Sequence, residues 1–268
     1  MILIGEKINS SIPKTQEMMK SNDYEGIASV IKLQEKWGAD YIDLNTGVFT
    51  DEAERLKSLI KLTLENTSEN TGIMLDSASP DTLLKTINLT GNRKLIINSV
   101  TLTIRFSEII PEFKKIIESG REAYVVAMPI EKRTPSTIEE RLKNVDSVVK
   151  KLHDAGIEDK NVFLDVLAET VAVEDNAAVK LFDTLKYVKS KYPEIKTVCG
   201  MSNISFGLPK RIKINCAVVA IANSLGLDAA ICDVTSAEFM TAFRASEMLC
   251  GRDEYCMGYI DFLRDNGL

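Results

Sequence analysis

Short and nearly continuous runs of apolar residues recur along the chain, each followed by polar residues and a segment of helical length. Eight such runs are present: Ile2–Ile4, Tyr41–Leu44, Gly72–Leu75, Lys94–Ile97, Ala123–Ala127, Asn161–Leu164, Thr197–Cys199 and Asp228–Cys232. Their spacing of roughly 25–40 residues suits one strand, one helix and two loops. Continuous hydrophobicity is typical of parallel strands that are buried on both faces. The pattern therefore predicts eight parallel strands that alternate with helices.

The segments between these runs carry helix signals. Helices are predicted over Asp23–Trp37, Asp51–Thr67, Asn176–Tyr192, Asn215–Leu225, Ser236–Leu249 and Tyr255–Leu263. Two more helices are marked by their starts, because Ser79 precedes Pro80 and Thr137 precedes Glu140 at the spacing of a capping box. The almost uniform hydrophobicity of the segment that begins at Asn215 predicts that this helix is deeply buried.

Eight strands favour a closed barrel over an open, doubly wound sheet. The open fold has about five to seven strands and a glycine-rich first turn. Here the first turn, Gly5–Asn9, lacks the G-x-G-x-x-G pattern. We find no linker, low-complexity tract or internal repeat. The sequence therefore predicts an α/β fold, a single (β/α)8 TIM-type barrel, with one domain over residues 1–268.

Composition and charge exclude several classes of partner. The chain has 268 residues and a net charge of −6, which argues against nucleic acid and anionic membranes as partners. No apolar run approaches the roughly 18 residues of a membrane span. The start, Met1–Glu6, lacks the basic and long apolar regions of a signal peptide. We therefore expect a protein that binds neither nucleic acid nor membrane.

Cysteine and histidine usage limits the possible chemistry. The cysteines are odd in number and form no C-x-x-C pair: Cys199, Cys216, Cys232, Cys250 and Cys256. Free thiols in a reducing cytoplasm are expected. The one histidine, His153, lies in a charged helical stretch, which argues against a Ser-His-Asp triad. Two thiols near one end of the strands, without a histidine, do not make a zinc site, so no bound metal is expected.

Acidic and amide side chains follow most of the predicted strands. They are Glu6, Asn9, Asp43, Asn45, Asp76, Asn98, Asp165, Asn203 and Asp233. Other residues just past the strands are Ser77, Ser99, Met128 and Ser202. In a barrel the carboxyl ends of all strands meet at one mouth. Burying several carboxylates together is unfavourable, and folding alone gives no reason for it. Helix capping or loop contacts are alternative roles, above all for Asp43 and Asp233.

The pattern of donors and acceptors indicates a ligand rich in N–H groups. A carboxylate accepts hydrogen bonds from two adjacent N–H donors, such as those on the 2-amino-4-oxo edge of a pterin. Asp76, Asn98 and Asp165 suit a pterin better than a sugar phosphate, which prefers a glycine-rich nest with Lys or Arg. The loop after the seventh strand instead places Asn203 between Gly200 and Gly207.

These motifs resemble those of the pterin-binding methyltransferases, which move a methyl group between tetrahydrofolate and a corrinoid protein. This group includes the methyltetrahydrofolate:corrinoid protein methyltransferases and the folate module of cobalamin-dependent methionine synthase. The resemblance spans nearly the whole chain in order, and its matching segments are Ile4–Asn9, Asp43–Gly47, Leu75–Ser77, Ile97–Ser99, Leu164–Asp165, Gly200–Pro209 and Gly226–Ile231.

The resemblance implies roles for particular residues. Asp76, Asn98 and Asp165 fall where the family holds the pterin ring, and Asn203 falls beside the nitrogen that carries the methyl group, as the catalytic residue. Arg211 lies where a basic residue meets the folate tail. Further candidates for substrate binding are Glu6, Asp43, Asn45, Met128, Gly200 and Ser202.

The resemblance also implies substrates and partners. Tetrahydrofolate or methyltetrahydrofolate is the expected substrate, and the corrinoid is carried by a separate protein that docks transiently over the mouth. A homodimer is expected as well. The chain has no D-x-H-x-x-G motif for holding a corrinoid itself. The loop Met128–Pro135 departs from the family pattern and is a candidate for setting the choice of partner.

The direction of methyl transfer stays open at this point, and transfer from a methylcorrinoid to tetrahydrofolate in a demethylation pathway is one option. A non-catalytic folate-binding protein is an alternative, since it would need the same pterin site. A dihydropteroate synthase-like enzyme is another, but its last strand would carry an R-x-H motif that Ala229–Asp233 lacks.

Overall fold

Eight parallel strands close into a barrel in their sequence order, β1-β2-β3-β4-β5-β6-β7-β8, with β1 paired to both β2 and β8. A computed structural model describes residues 1–268. The strands are Ile2–Asn9 (β1), Tyr41–Asn45 (β2), Gly72–Asp76 (β3), Leu95–Val100 (β4), Ala123–Ala127 (β5), Val162–Asp165 (β6), Lys196–Gly200 (β7) and Ala229–Cys232 (β8). The predicted TIM-type barrel is confirmed.

Ten helices surround the barrel. They are Pro13–Ser21 (α1), Tyr24–Lys36 (α2), Glu52–Asn66 (α3), Pro80–Thr86 (α4), Ile104–Glu118 (α5), Ile138–Asp154 (α6), Ala177–Lys191 (α7), Arg211–Ser224 (α8), Ala237–Leu249 (α9) and Met257–Asn266 (α10). Their apolar faces and the outer faces of the strands form one core of 52 buried residues. None of these helices combines the length and hydrophobicity that crossing a membrane requires.

The helix starts that were predicted from capping residues are confirmed. The hydroxyl of Ser79 accepts from the amide of Thr82, and that of Thr137 accepts from the amide of Glu140. The second half of the capping box at α6 is different, because the Glu140 carboxylate accepts from the Ser136 amide rather than from that of Thr137. Both caps satisfy amide groups that the first helical turn leaves unpaired.

One helix was predicted wrongly and two were not predicted. Helix α8 begins at Arg211, four residues before Asn215, and it is not deeply buried, since Ile221 is 45% exposed. Helices α1 and α5 were not predicted at all. The sequence of α1 has few apolar residues, and Pro111 inside α5 is a residue that usually ends a helix.

The middle of the barrel is filled by one buried side chain from each strand. These eight buried residues, here called the plug layer, are Ile4, Tyr41, Met74, Ile96, Val126, Phe163, Val198 and Ala229. Successive side chains on a strand point to opposite faces, so residues two positions apart share a face. The residues two positions beyond the plug layer must therefore also point into the barrel, nearer its carboxyl end.

Candidate active site at the carboxyl end of the barrel

The residues two positions beyond the plug layer form the wall of a cavity of about 380 Å³. This mouth layer consists of Glu6, Asp43, Asp76, Asn98, Met128, Asp165, Gly200 and Ile231, and every member lines the cavity. The other lining residues are Asn9, Asn45, Gly47, Ser77, Ala78, Ser99, Arg105 and Asn203. Most of the predicted acidic and amide residues are thus brought to one place. They lie within the strand ends rather than past them, because β1 continues to Asn9 and β3 to Asp76.

Asp76 is held by a neighbouring strand and keeps one carboxylate oxygen available. Its Oδ2 accepts from Nδ2 of Asn45 at 2.8 Å, while Oδ1 has no protein partner. Asn45 is fixed in turn, because its Oδ1 accepts from the Ser10 hydroxyl at 3.1 Å and from the Gly47 amide at 3.0 Å. The structure therefore makes Asn45 a positioning residue for Asp76, with its oxygen already engaged.

Asp165 shows the same arrangement on the opposite side of the cavity. Its Oδ1 accepts from the backbone amide of Leu167 at 2.8 Å, and its Oδ2 has no protein partner. Asn98, near the end of β4, and Asn203, in the turn after β7, also line the cavity, and their side-chain amides have no hydrogen-bond partner within the protein. Two oriented carboxylates and two carboxamides therefore present unpaired acceptors and donors to the same space, which suits a ligand with several N–H groups.

Burial raises the pKa of the carboxyl groups around the cavity. For Asp43, which is only 2% exposed and has no partner for Oδ1, burial raises the pKa well above its ordinary value, and the charges of Asp76 and Glu6 add to this. Burial raises the pKa of Asp165 to about 6. It also raises the pKa of Asp76, against the Asn45 hydrogen bond and the Arg105 charge. Perturbed acids in one cleft are typical of functional sites.

Arg105 is a cavity residue that the sequence analysis missed. Its Nη2 donates to the backbone carbonyls of Ser77 at 2.6 Å and Ser99 at 2.7 Å, and so joins the loop after β3 to the last residues of β4. Ser77 and Ser99 directly follow Asp76 and Asn98 in the chain. The missing signal was the start of α5, since a helix predicted from Ile104 would have placed Arg105 in its first turn, facing the mouth.

Two predicted binding residues hold the loop after β7 instead of lining the cavity. The Ser202 hydroxyl donates to Oε1 of Glu6 at 2.6 Å. The Arg211 guanidinium donates to the Ser202 carbonyl at 2.6 Å and to the Ser205 hydroxyl at 3.2 Å. The loop that carries Asn203 is therefore tied both to β1 and to α8. Binding of the folate tail by Arg211 remains a prediction.

Gly200 gives the Asn203 side chain its place. A Cβ atom at residue 200 would lie 3.0 Å from Nδ2 of Asn203, which is tighter than an ordinary contact. The short 3₁₀ turn Met201–Asn203 folds the amide back over the end of β7, above the cavity wall. The fold and the site together define a TIM barrel whose mouth presents unpaired carboxylate and carboxamide groups to one cavity.

Comparison with known proteins identifies the family. The profile of the family described as pterin binding enzyme matches residues 6–233, so the chain belongs to the pterin binding enzymes. It is 27% identical over 262 residues to the methylcorrinoid:tetrahydrofolate methyltransferase of Eubacterium limosum, covering 97% of this chain and 94% of that protein. It is also 27% identical over 248 residues to the methionine synthase of Mycobacterium tuberculosis, covering 86% of this chain but 20% of that protein.

A solved structure supports the fold assignment. The dihydropteroate synthase of Coxiella burnetii, in complex with pteroic acid, superposes with a TM-score of 0.65 over 94% of this chain and 93% of that one. The two sequences are 14% identical, so this likeness concerns the fold alone. The resemblance to pterin-binding methyltransferases that the motifs indicated is confirmed.

Proposed function

We propose that this protein is a methyltransferase that moves a methyl group between the cobalt of a separate corrinoid protein and tetrahydrofolate. The observation that carries the proposal is the set of unpaired polar groups from β3, β4, β6 and β7 around one cavity. The near full-length similarity to a methylcorrinoid:tetrahydrofolate methyltransferase supports the same activity. It also favours transfer from the methylcorrinoid to tetrahydrofolate as the physiological direction. The proposed location of the protein is a reducing cytoplasm, where its five unpaired cysteines are stable.

In this proposal the pterin ring lies across the mouth layer. Oδ1 of Asp76 and Oδ2 of Asp165 accept from the ring's N–H groups, and the Asn98 amide can both donate and accept. Met128 and Ile231 supply apolar contact beside these polar groups. Because each carboxylate is held by one hydrogen bond and offers its second oxygen, the site is oriented before the ligand arrives.

Asn203 is proposed to act at the pterin nitrogen that gains or loses the methyl group. In the forward direction the lone pair of this nitrogen attacks the methyl carbon, the electron pair of the cobalt–carbon bond stays on cobalt, and the nitrogen releases its proton to water. In reverse, the nitrogen must gain a proton as its bond to the methyl group breaks. A hydrogen bond between the Asn203 amide and this nitrogen would lower the barrier if it strengthens as the charge on the nitrogen changes.

The corrinoid is proposed to arrive on a partner protein that docks over the mouth. Four exposed apolar side chains lie at the carboxyl end of the barrel, three on loops and one at the start of α5, and they are here called the apolar rim: Val48, Ile104, Val173 and Phe206. They follow β2, β4, β6 and β7 and so surround an acidic cavity. Scattered apolar contacts around a polar centre suit a transient interface.

A homodimer is also proposed. Helices α8 and α9 pack together and expose small and apolar side chains, with Ile221 45% and Leu249 81% exposed. Solvent-exposed apolar side chains on adjacent helices are typical of a subunit interface. Light scattering is expected to give a dimer for the wild type and a monomer for Ile221→Lys. A wild type that is monomeric at micromolar concentration would contradict this part of the proposal.

The test of the catalytic proposal is Asn203→Ala, assayed with free methylcobalamin and tetrahydrofolate. Turnover is expected to fall by about 100-fold, or ~3 kcal/mol, while tetrahydrofolate affinity changes by less than about threefold. Asn88→Ala, an exposed asparagine on the flank of the barrel, is the matched control and should behave as the wild type. Equal losses in affinity and turnover would contradict the role of Asn203.

The same assay separates the alternatives. If the protein is a non-catalytic folate-binding protein, it would bind tetrahydrofolate and give no methylated product with any corrinoid donor. A dihydropteroate synthase-like enzyme would instead condense a dihydropterin pyrophosphate with p-aminobenzoate. Neither outcome is expected, and the absence of methyl transfer with both free and protein-bound methylcorrinoid would overturn the proposed function.

A further inference from the structure

A fully buried arginine lies behind the cavity wall, next to the strand end that carries Asp165. Arg141, on α6, is 0% exposed. Its Nη1 donates to the backbone carbonyls of Leu167 at 2.9 Å and Val166 at 3.3 Å, and its Nη2 pairs with the carboxylate of Glu169. Burying a guanidinium is unfavourable unless it is paired, and an apolar residue of similar size could fill the same volume. The position therefore calls for a reason beyond packing.

One peptide group connects Arg141 to Asp165. The carbonyl of the Val166–Leu167 peptide accepts from Arg141, and the amide of the same peptide donates to Oδ1 of Asp165 at 2.8 Å. Leu167 has φ +56°, a left-handed conformation that residues with a side chain rarely adopt. Arg141 also holds the Leu167 carbonyl, so it fixes the peptides on both sides of this unfavourable residue. Aligned hydrogen bonds of this kind strengthen one another.

The charges around Asp165 leave Arg141 as the cation that favours its ionised form. Asp76 faces it from β3 and the Cys199 thiol from β7. On the far side of Arg141, the Lys180 ammonium of α7 pairs with Glu174 at 2.5 Å and with Glu169 at 3.3 Å. Lys180 pairs with both of these carboxylates, so its charge is largely compensated. Arg141 pairs with one carboxylate, that of Glu169.

We infer that Arg141 is a positioning residue that sets both the orientation and the charge of Asp165, and so controls pterin affinity from outside the cavity. This rests on the proposed function in assigning Asp165 to the pterin. The guanidinium orients Asp165 through the intervening peptide and stabilises the carboxylate that accepts the ligand's N–H groups. Pterin affinity should therefore depend on pH, with a midpoint that moves when the charge at residue 141 is removed.

The test measures the affinity of tetrahydrofolate between pH 5.5 and 9, by anaerobic calorimetry. Wild-type affinity is expected to fall below about pH 6, because burial raises the pKa of Asp165 to about 6. In Arg141→Gln the midpoint moves to higher pH, so affinity at pH 7 falls about tenfold and recovers to within about threefold by pH 9. In Arg141→Lys the charge is kept, so the midpoint stays while the plateau affinity drops.

Two further variants separate a shift of the pH midpoint from a general loss of protein stability. Glu169→Gln removes a negative charge beside Arg141 at a partly exposed position, so the midpoint should move to lower pH, a change that mere loosening cannot produce. Arg121→Gln is the matched control, because this arginine donates to Arg93 and Thr90 at the other end of the barrel. Arg121→Gln should lower the stability of the protein and leave the midpoint of the pH dependence in place. Any contribution from titration of the ligand itself is the same in this control and in the other variants.

The outcomes separate this inference from the function on which it rests. A midpoint that does not move in Arg141→Gln and Glu169→Gln, while the wild type binds tetrahydrofolate, overturns the role of Arg141 alone. A loss of affinity that is the same at every pH also overturns it, because that is the behaviour of a purely structural residue. A wild type that binds no tetrahydrofolate at any pH overturns the proposed function, and the inference with it.

Discussion

Asp43 shows at the scale of one residue how a ligand site reduces the stability of the fold. The side chain is buried at the bottom of the cavity, its Oδ1 has no hydrogen-bond donor, and its charged neighbours are Asp76 and Glu6. Burial, with those two charges, raises its pKa well above the unfolded value of 3.8. The stability that such a group contributes is complete below the unfolded pKa and is lost as the pH rises toward the folded one.

Asp43→Asn is therefore expected to stabilise the ligand-free protein at pH 8 more than at pH 5. Asparagine keeps the shape of the protonated acid and never ionises, so the gain should grow with pH to on the order of 1–2 kcal/mol. Chemical denaturation at the two pH values measures it. A stability difference between variant and wild type that is the same at pH 5 and pH 8 would contradict the assignment of a raised pKa.

Asp146 is the control with the opposite sign. Burial alone would raise its pKa, but hydrogen bonds from Lys191, Tyr192 and Tyr187 lower it overall. A group with a depressed pKa stabilises the fold above its unfolded value and loses that contribution as the pH falls. Asp146→Asn should therefore destabilise the protein at both pH 5 and pH 8, with no gain at either value.

At the scale of elements, the end of β7 and the turn that follows it depend on one close approach. Gly200→Ala would place a methyl group 3.0 Å from Nδ2 of Asn203, and the flexible amide would move away rather than the backbone. Because Gly200 has φ −78°, alanine fits its backbone conformation. Turnover with methylcobalamin is expected to fall about tenfold, while the free energy of unfolding changes by less than ~1 kcal/mol.

A double-mutant cycle checks this mechanism. If Gly200→Ala acts by displacing the Asn203 amide, it should have almost no further effect on turnover in the Asn203→Ala background. Independent, multiplying losses from the two substitutions would mean that Gly200 acts in another way, for example by direct contact with the pterin.

The elements also show what could be predicted from the sequence. All eight strands were found, because parallel strands buried on both faces are continuous apolar runs, and the acidic residues at their ends were expected to meet. Which of them face the cavity follows from the two-residue period beyond the plug layer. That step needs the strand ends to be known to within one residue. The first apolar run predicts a strand that ends at Ile4, whereas β1 continues to Asn9.

The sequence does not reveal the roles of two arginines that act through other residues. Arg141 and Arg105 lie on helices, and nothing in their local sequence marks them as different from surface arginines. Their roles depend on tertiary contacts with backbone carbonyls after β6, after β3 and near the end of β4. In the same way, Ser202 and Arg211 belong to the right loop, but only the fold shows that their side chains hold the loop together.

At the scale of the whole molecule, the proposed reaction needs a cavity that is open to a partner protein, and the apolar rim is the surface suited to that contact. Val173 is 85% exposed and Ile104 is 70% exposed, on different sides of the mouth. Neither lines the cavity, so substitutions there can separate docking of the partner from the chemistry. Charged residues at an apolar contact disfavour association because they must be desolvated.

Val173→Asp and Ile104→Asp are each expected to lower kcat/KM for a protein-bound methylcorrinoid by about tenfold, or ~1.4 kcal/mol, and to change kcat/KM for free methylcobalamin by less than about twofold. Val179→Asp, on the flank of the barrel at α7 and 56% exposed, is the matched control and should leave both values unchanged. Since free methylcobalamin needs no protein docking surface to reach the mouth, an equal loss with both donors would show that the rim affects the cavity itself. An unchanged kcat/KM with the protein-bound donor would place the docking surface elsewhere on the molecule.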